Sequence, residues 1–277
     1  MKISSKIPIV FIVLVLTTST AFSQDEDIEA VIKRVQWVKG PAIGNLGNTA
    51  EIRVPEGYIF ASGDDTRQLL EAMHNPTDGT EVGFIASTSS NWFMFFNFKS
   101  IGYVSDEEKN SLDAGAMLRS IITATEKANN ERIKRGWSTV TVIGWQQEPH
   151  YNSETHNLEW SLLGQDKGEQ IVNWNTRLLG RKGIMSVTLV TNPSTISNIL
   201  PECHKLLADF SYKQGNRYEE YRSGDKLSEL GLTALVVGAG SAVAVKTGLA
   251  KWLWKVLVAA FAAICLWLKK LFTKKKQ

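Results

Sequence analysis

Residues 138–190 read STVTVIGWQQEPHYNSETHNLEWSLLGQDKGEQIVNWNTRLLGRKGIMSVTLV, the stretch with the clearest strand alternation in the chain. Four extended segments are predicted: Ser138–Trp145, Thr155–Leu163, Glu169–Leu179 and Gly183–Val190. Side chains alternate across a strand. In the second segment His156, Leu158, Trp160 and Leu162 therefore point one way, and Asn157, Glu159 and Ser161 the other. In the third, Val172, Trp174, Thr176 and Leu178 share a face opposite Ile171, Asn173, Asn175 and Arg177. This period of two predicts an antiparallel meander with one buried and one wetter face. Gly164–Gly168 and Gly180–Gly183 are read as hairpin connections, where glycine supplies the positive φ of tight turns.

Upstream, Thr49–Val54, Tyr58–Phe60, Val82–Ala86 and Trp92–Phe98 are predicted strands, the last aromatic on both faces and so central in its sheet or covered on both sides. Trp37–Gly47, punctuated by glycine and proline, reads as a loop between short strands. Asp64 or Asp65 can cap a short helix carrying Leu69, Leu70 and Met73. A long helix is expected over Leu112–Arg135, capped by Ser111, with Leu118, Ile121, Ile122, Thr125 and Ala128 as its apolar stripe. A second amphipathic helix is expected over Ser194–Phe210, with Cys203 on its apolar side as a buried, inert thiol.

Charge divides the chain. From Gln24 to Glu229 there are 21 Lys and Arg against 28 Asp and Glu; from Leu230 onward there are eight lysines and no acids. An acidic globular part argues against nucleic-acid binding. Met1–Ser23 has the charged start, apolar middle and small-residue end of a secretory signal, with cleavage before Gln24. After the polar linker Gly215–Lys226, the apolar runs Leu232–Val245 and Trp252–Leu268 read as a C-terminal membrane anchor. Either one crossing or a short helical hairpin fits, and the lysines at the terminus favour one crossing with the globular part outside the cytoplasm. The expected domains are thus 1–23, a signal peptide; 24–229, an extracytoplasmic α+β domain; and 230–277, an anchor with a basic tail.

Several stretches carry a family resemblance: Gly40-Pro41 with Asn45-Leu46-Gly47, Val54-Pro55-Glu56-Gly57-Tyr58, Gly102-Tyr103-Val104, Gly136-Trp137, Pro149-His150-Tyr151, Thr155-His156, Val172-Asn173 with Asn175 and Arg177, Leu179-Gly180-Arg181, and Gly224-Asp225-Lys226. In these the chain resembles a bacterial family of predicted membrane-anchored proteins, domain-of-unknown-function family 2167. The resemblance implies an exported domain with a C-terminal anchor and brings no catalytic residues. Trp174 stands where the family leads us to expect a tyrosine.

Two clusters could carry chemistry. Glu148, His150 and His156, with Glu154, place four potential ligands within nine residues, and zinc needs three or four converging N, O or S ligands. The alternative is a packed, hydrogen-bonded His156 and an exposed His150. Asn173, Asn175 and Arg177 share one strand face, and with Arg181 they could hold a carboxylate or phosphate through a bidentate guanidinium. The alternative is a solvated face, or polar contacts under a covering loop. There is no Ser-His-Asp order, no phosphate-binding glycine loop and no assignable cofactor. The reading is an α+β protein: antiparallel meander sheets packed by two amphipathic helices, plus C-terminal transmembrane segments. It is expected to be a non-catalytic interaction or envelope-support module with the membrane, and an envelope protein, as partners. A metal-binding domain or metal-dependent hydrolase, and a small-anion receptor centred on Arg177, are the alternatives.

Overall fold

The computed structural model describes residues 28–90 and 92–238. Met1–Ser23 and Trp252–Leu268, read as signal and anchor, lie outside the described residues. Among the described residues, no helix is long and apolar enough to cross a membrane.

In chain order the elements are α1 (Ile28–Arg34), β1 (Val38–Lys39), β2 (Ala42–Leu46), β3 (Ala50–Val54), β4 (Tyr58–Ser62), α2 (Gly63–Ala72), β5 (Glu81–Ser87) and β6 (Phe93–Lys99). There follow α3 (Ala114–Lys134), β7 (Val140–Asn152), β8 (Asn157–Asp166), β9 (Glu169–Leu179), β10 (Ile184–Thr191), α4 (Ile196–Leu207), β11 (Phe210–Tyr212) and α5 (Leu232–Val237). The architecture is α+β with antiparallel strand pairing. Two compact units divide the chain: Met1–Asn97 with Thr188–Lys213, and Phe98–Val187 with Gln214–Gln277.

In the first unit, β1-β4-β5-β6 form one antiparallel array and β11-β3-β2 a second, small sheet. Two glycines let the layers close on one ring. A Cβ on Gly44 or Gly83 would lie 2.8 or 2.7 Å from the Phe60 ring. In β6, Met94 and Phe96 are fully buried while Phe93 and Phe95 pack on the cluster of Val31, Ala61, Leu69 and Phe84, so both faces are covered as expected. Helix α4 buries Ile196, Ile199, Cys203 and Leu206; burial pushes the Cys203 thiol well above its usual range, which leaves it protonated and inert.

In the second unit the meander runs in the order β10-β9-β8-β7. The β8–β9 ladder is regular from Asn157↔Leu178 to Asp166↔Glu169. Its turn is the two residues Lys167 and Gly168, both at positive φ (50° and 88°), the geometry that matches the twist of a tight hairpin. Strand β7 runs on to Asn152, so most of the stretch between the expected segments Ser138–Trp145 and Thr155–Leu163 is strand as well. Proline lacks an N–H for the ladder. Pro149 is accommodated because β7 is the last strand of the order and its register shifts between Gln147 and His150. Such bulges and prolines also guard an edge strand against unwanted pairing.

Asp113, rather than Ser111, caps α3, its carboxylate accepting from the Ala116 N–H at 2.8 Å. Asn129 ties the helix to β7 twice, donating to the Val140 carbonyl (2.8 Å) and accepting from the Val140 N–H (2.9 Å). Met117 and Ile121 of α3 join Leu158, Trp160, Tyr218 and α5 in one apolar core.

Candidate functional site

Register places the polar stripe. Leu158 stands opposite Arg177, Trp160 opposite Asn175, and Leu162 opposite Asn173. Residues paired across strands share a face. Asn173, Asn175 and Arg177 thus lie on the face of Leu158 and Trp160, which packs into the helix-covered core. The opposite face, with Val172, Trp174 and Thr176, is buried as well, so the meander has no wet side at this stripe. Arg177 is half-buried. Its guanidinium lies 4.5 Å over the Trp160 ring and donates to the Thr176 carbonyl at 3.1 Å. Burial alone draws its pKa down to about 10, and no carboxylate among the described residues opposes it.

Arg181 does not join Arg177. Its guanidinium forms a two-pronged pair with Asp225, at 2.7 and 2.8 Å, with only 15% and 20% of the two side chains exposed. The bond to Arg181 holds the Asp225 carboxyl down to about 2, and the same bond raises Arg181. A second Asp225 contact accepts the Arg222 N–H.

The two histidines are parted by the pleat. His150 pairs with Glu159 and Tyr151 with Leu158, so adjacent residues of β7 face opposite ways. On one face the His150 ring lies 3.9 Å from the Glu159 carboxylate. On the other, the His156 Nδ1 lies 3.1 Å from the Tyr151 hydroxyl, and its ring packs 4.4 Å from Tyr218. Glu148 is exposed on β7. Among the described residues, no group of three or more His, Cys, Asp or Glu converges to hold a metal ion.

His156 ends an aromatic stack that local sequence reading does not single out. Tyr221 packs on Tyr103 (4.3 Å), Tyr103 on Tyr218 (4.5 Å), and Tyr218 on His156 (4.4 Å). The Tyr218 hydroxyl donates to the Val104 carbonyl at 3.0 Å. Burial first, then contact with Asp106 for Tyr151 and with Tyr103 for Tyr218, pushes both phenols far above their usual range. They stay neutral hydrogen-bonding groups.

Arg181–Asp225 and this stack hold one segment, Gln214–Gly238, the root of the C-terminal run. Tyr103 pairs in parallel with Leu227: its N–H donates to the Lys226 carbonyl and its carbonyl accepts from Ser228, both at 2.8 Å. Gly102 permits this approach, since a Cβ there would sit 2.5 Å from the Lys226 carbonyl oxygen. The Arg181 N–H donates to Asn216 (2.9 Å), and Glu220 accepts from the N–H groups of Gly215 and Arg217, which lowers its pKa. Beyond this, Glu108 accepts from Thr233 (3.0 Å) at the start of α5, where a negative charge meets the unsatisfied N–H groups of a helix. All six residues of α5 are buried. The expected boundary at 229 therefore falls inside the folded unit, which continues through Val237. The local signal was the pair Tyr218 and Tyr221 in an otherwise polar stretch, three apart and so available to one surface.

Comparison with known proteins gives three findings. The profile described as "Protein of unknown function (DUF2167)" matches residues 39–269. No curated protein matches the chain in sequence. Among solved structures, cyanobacterial PsbP (CyanoP) from Synechocystis sp. PCC 6803 is similar with a TM-score of 0.38 at 8% identity, over 65% of this chain and 92% of that one. The Ran-binding protein Mog1p of Saccharomyces cerevisiae is similar with a TM-score of 0.31 at 10% identity, over 64% and 95%. The profile spans most of the chain and includes the meander, the tyrosine stack and α5, so the chain belongs to the DUF2167 family of proteins of unknown function.

Proposed function

We propose that this chain is a non-catalytic interaction module of the cell envelope, exported through residues 1–23 and tethered to the membrane by the residues beyond Gly238. The observation that carries this reading is the lock on the C-terminal root. The Arg181–Asp225 pair, the four-ring stack, the Tyr103↔Leu227 bridge and the Glu108 contact all serve to hold residues 214–237. A flexible tether would need none of them. A rigid root transmits the position of the membrane segment to the folded unit, which suits a module that presents a surface at a fixed height. Side chains that could do chemistry are engaged structurally: His156 with Tyr151 and Tyr218, His150 beside Glu159, and Arg181 with Asp225.

The test is made on the full chain in cells. Alkaline washing should leave it in the membrane fraction, and protease added to spheroplasts should digest residues 24–238 without lysis. Zinc titration should give equal, negligible binding for the native chain and for His150→Ala/His156→Ala. Release by alkali, protection from protease, or stoichiometric zinc lost in the double variant would each sink the corresponding part of the reading.

A second reading has one observation in its favour. A half-buried guanidinium on an indole face, without an opposing carboxylate among the described residues, is a receptor for a small carboxylate or phosphate. Calorimetric titration with phosphate, lost in Arg177→Gln, would support it; no heat in the native chain would end it.

A further inference from the structure

The same root gathers positive charge in an otherwise acidic unit. Three segments meet through their backbones: Lys99–Tyr103, Gly180–Gly183 and Gln214–Glu229. Gly102 donates to the Lys182 carbonyl (3.0 Å), Arg181 to Asn216 (2.9 Å) and Tyr103 to Lys226 (2.8 Å). Together they carry six cations and four acids, whereas the rest of this unit up to Gly238 carries eight cations and eleven acids. Two of the four acids are turned inward, Asp225 onto Arg181 and Glu220 onto the amides of Gly215 and Arg217. Lys182, Arg217, Arg222 and Lys226 are exposed. Among them stand two of the large apolar side chains left in solvent, Tyr221 at 39% and Leu227 at 58% exposure.

We infer that this face docks flat on a bilayer containing anionic lipid. Charge complementarity selects the surface, because phosphate headgroups attract Lys and Arg where the rest of the unit is repelled. Tyrosine suits the headgroup level, where an apolar ring and a polar hydroxyl are both served. Chain continuity places the occupant: the 39 residues after Gly238 begin directly beyond this root and carry eight lysines and no acid. The inference rests on the membrane-tethered reading above and adds that the folded unit itself touches the lipid. Each basic side chain near such a surface strengthens apposition by about fivefold.

The experiment uses the full chain with Cys265→Ser and Ser223→Cys, labelled with a fluorophore at position 223 and placed in nanodiscs. The discs contain phosphatidylcholine alone, or with phosphatidylglycerol, plus a headgroup spin-labelled lipid as quencher. Quenching should appear with phosphatidylglycerol and fade at high salt, where the screening length shrinks to ~3 Å. In Lys182→Gln/Arg222→Gln/Lys226→Gln, matched for melting temperature, the docked-to-undocked ratio should fall on the order of a hundredfold. Equal quenching in neutral and anionic discs, or indifference to salt, overturns the inference using the native chain alone, and an unaffected triple variant overturns it as well. Co-elution with the discs is scored separately. A chain that fails to co-elute sinks the tether itself, and one that co-elutes but ignores headgroup charge sinks only the docking.

Discussion

Replacing Leu232 by alanine separates a tail root built into the fold from one that hangs beside it. Leu232 is fully buried and shares its core with Val104, Met117, Ile121, Leu158 and Trp160. Removing three carbon groups forfeits about 2.4 kcal/mol of transfer free energy at ~0.8 kcal/mol per methylene. The cavity left among α3, α5 and the meander adds to this, and the known range for such changes is about 2–5 kcal/mol. A loss of ~3 kcal/mol is expected. For a chain of this size that is a fall in Tm of roughly 6–12 °C. The assay is thermal and urea unfolding of the full chain in detergent, followed by near-ultraviolet circular dichroism, where the buried tryptophans report. Leu227→Ala is the control: its side chain is 58% exposed, and its replacement should change stability by less than ~0.5 kcal/mol. If Leu232→Ala melts with the native chain, residues 232–237 are not part of the core and the account of the root fails.

Gly183→Ala should destabilise by ~2 kcal/mol or more, since the new Cβ would sit 2.1 Å from the Lys99 carbonyl oxygen and backbone must move; an unchanged urea midpoint would count against that approach. Asp225 titrates at about 2 when folded and about 3.9 when unfolded, so its contribution is complete above pH ~4 and is lost as pH falls towards 2. The stability difference between the native chain and Asp225→Asn should therefore shrink over that window, and a difference constant with pH would refute the pairing. His156→Ala removes the Tyr151 contact and one ring of the stack, and should cost ~1 kcal/mol while leaving metal content unchanged; a loss of bound zinc would reverse the assignment.

The parts of this fold legible from sequence are those set by local alternation. Leu158, Trp160 and the Val172–Leu178 set alternate strictly, and the structure places them as that alternation requires. Alternation assigns residues to faces without saying which face is wet, so it leaves the Asn173–Arg177 stripe open between a binding face, a solvated face and polar contacts under cover; the register puts it on the core-facing side with Leu158 and Trp160. Pro149 lies beyond the expected end of the first segment at Trp145, yet an edge strand with bulges holds it, so β7 continues past that end. Residues Leu232–Val237 are as apolar as a membrane segment, and apolarity alone does not separate lipid from protein interior. Tyr103 lies 115 residues from Tyr218, and a contact so distant leaves no periodic trace along the chain. The candidate ligands His150 and His156 sit close in sequence, but the pleat sends Tyr151 and His150 to opposite faces and keeps them from converging.

Amide hydrogen exchange on the full chain in membranes, read at Tyr103, Ser228 and Thr233, distinguishes a C-terminal root built into the fold from a loose one. These N–H groups bond to Lys226, Tyr103 and Glu108. All three should exchange as slowly as the amides of β8 and β9, through global unfolding. Exchange at the rate of an unstructured peptide at Ser228 and Thr233, with β8 and β9 still protected, would contradict a root built into the fold.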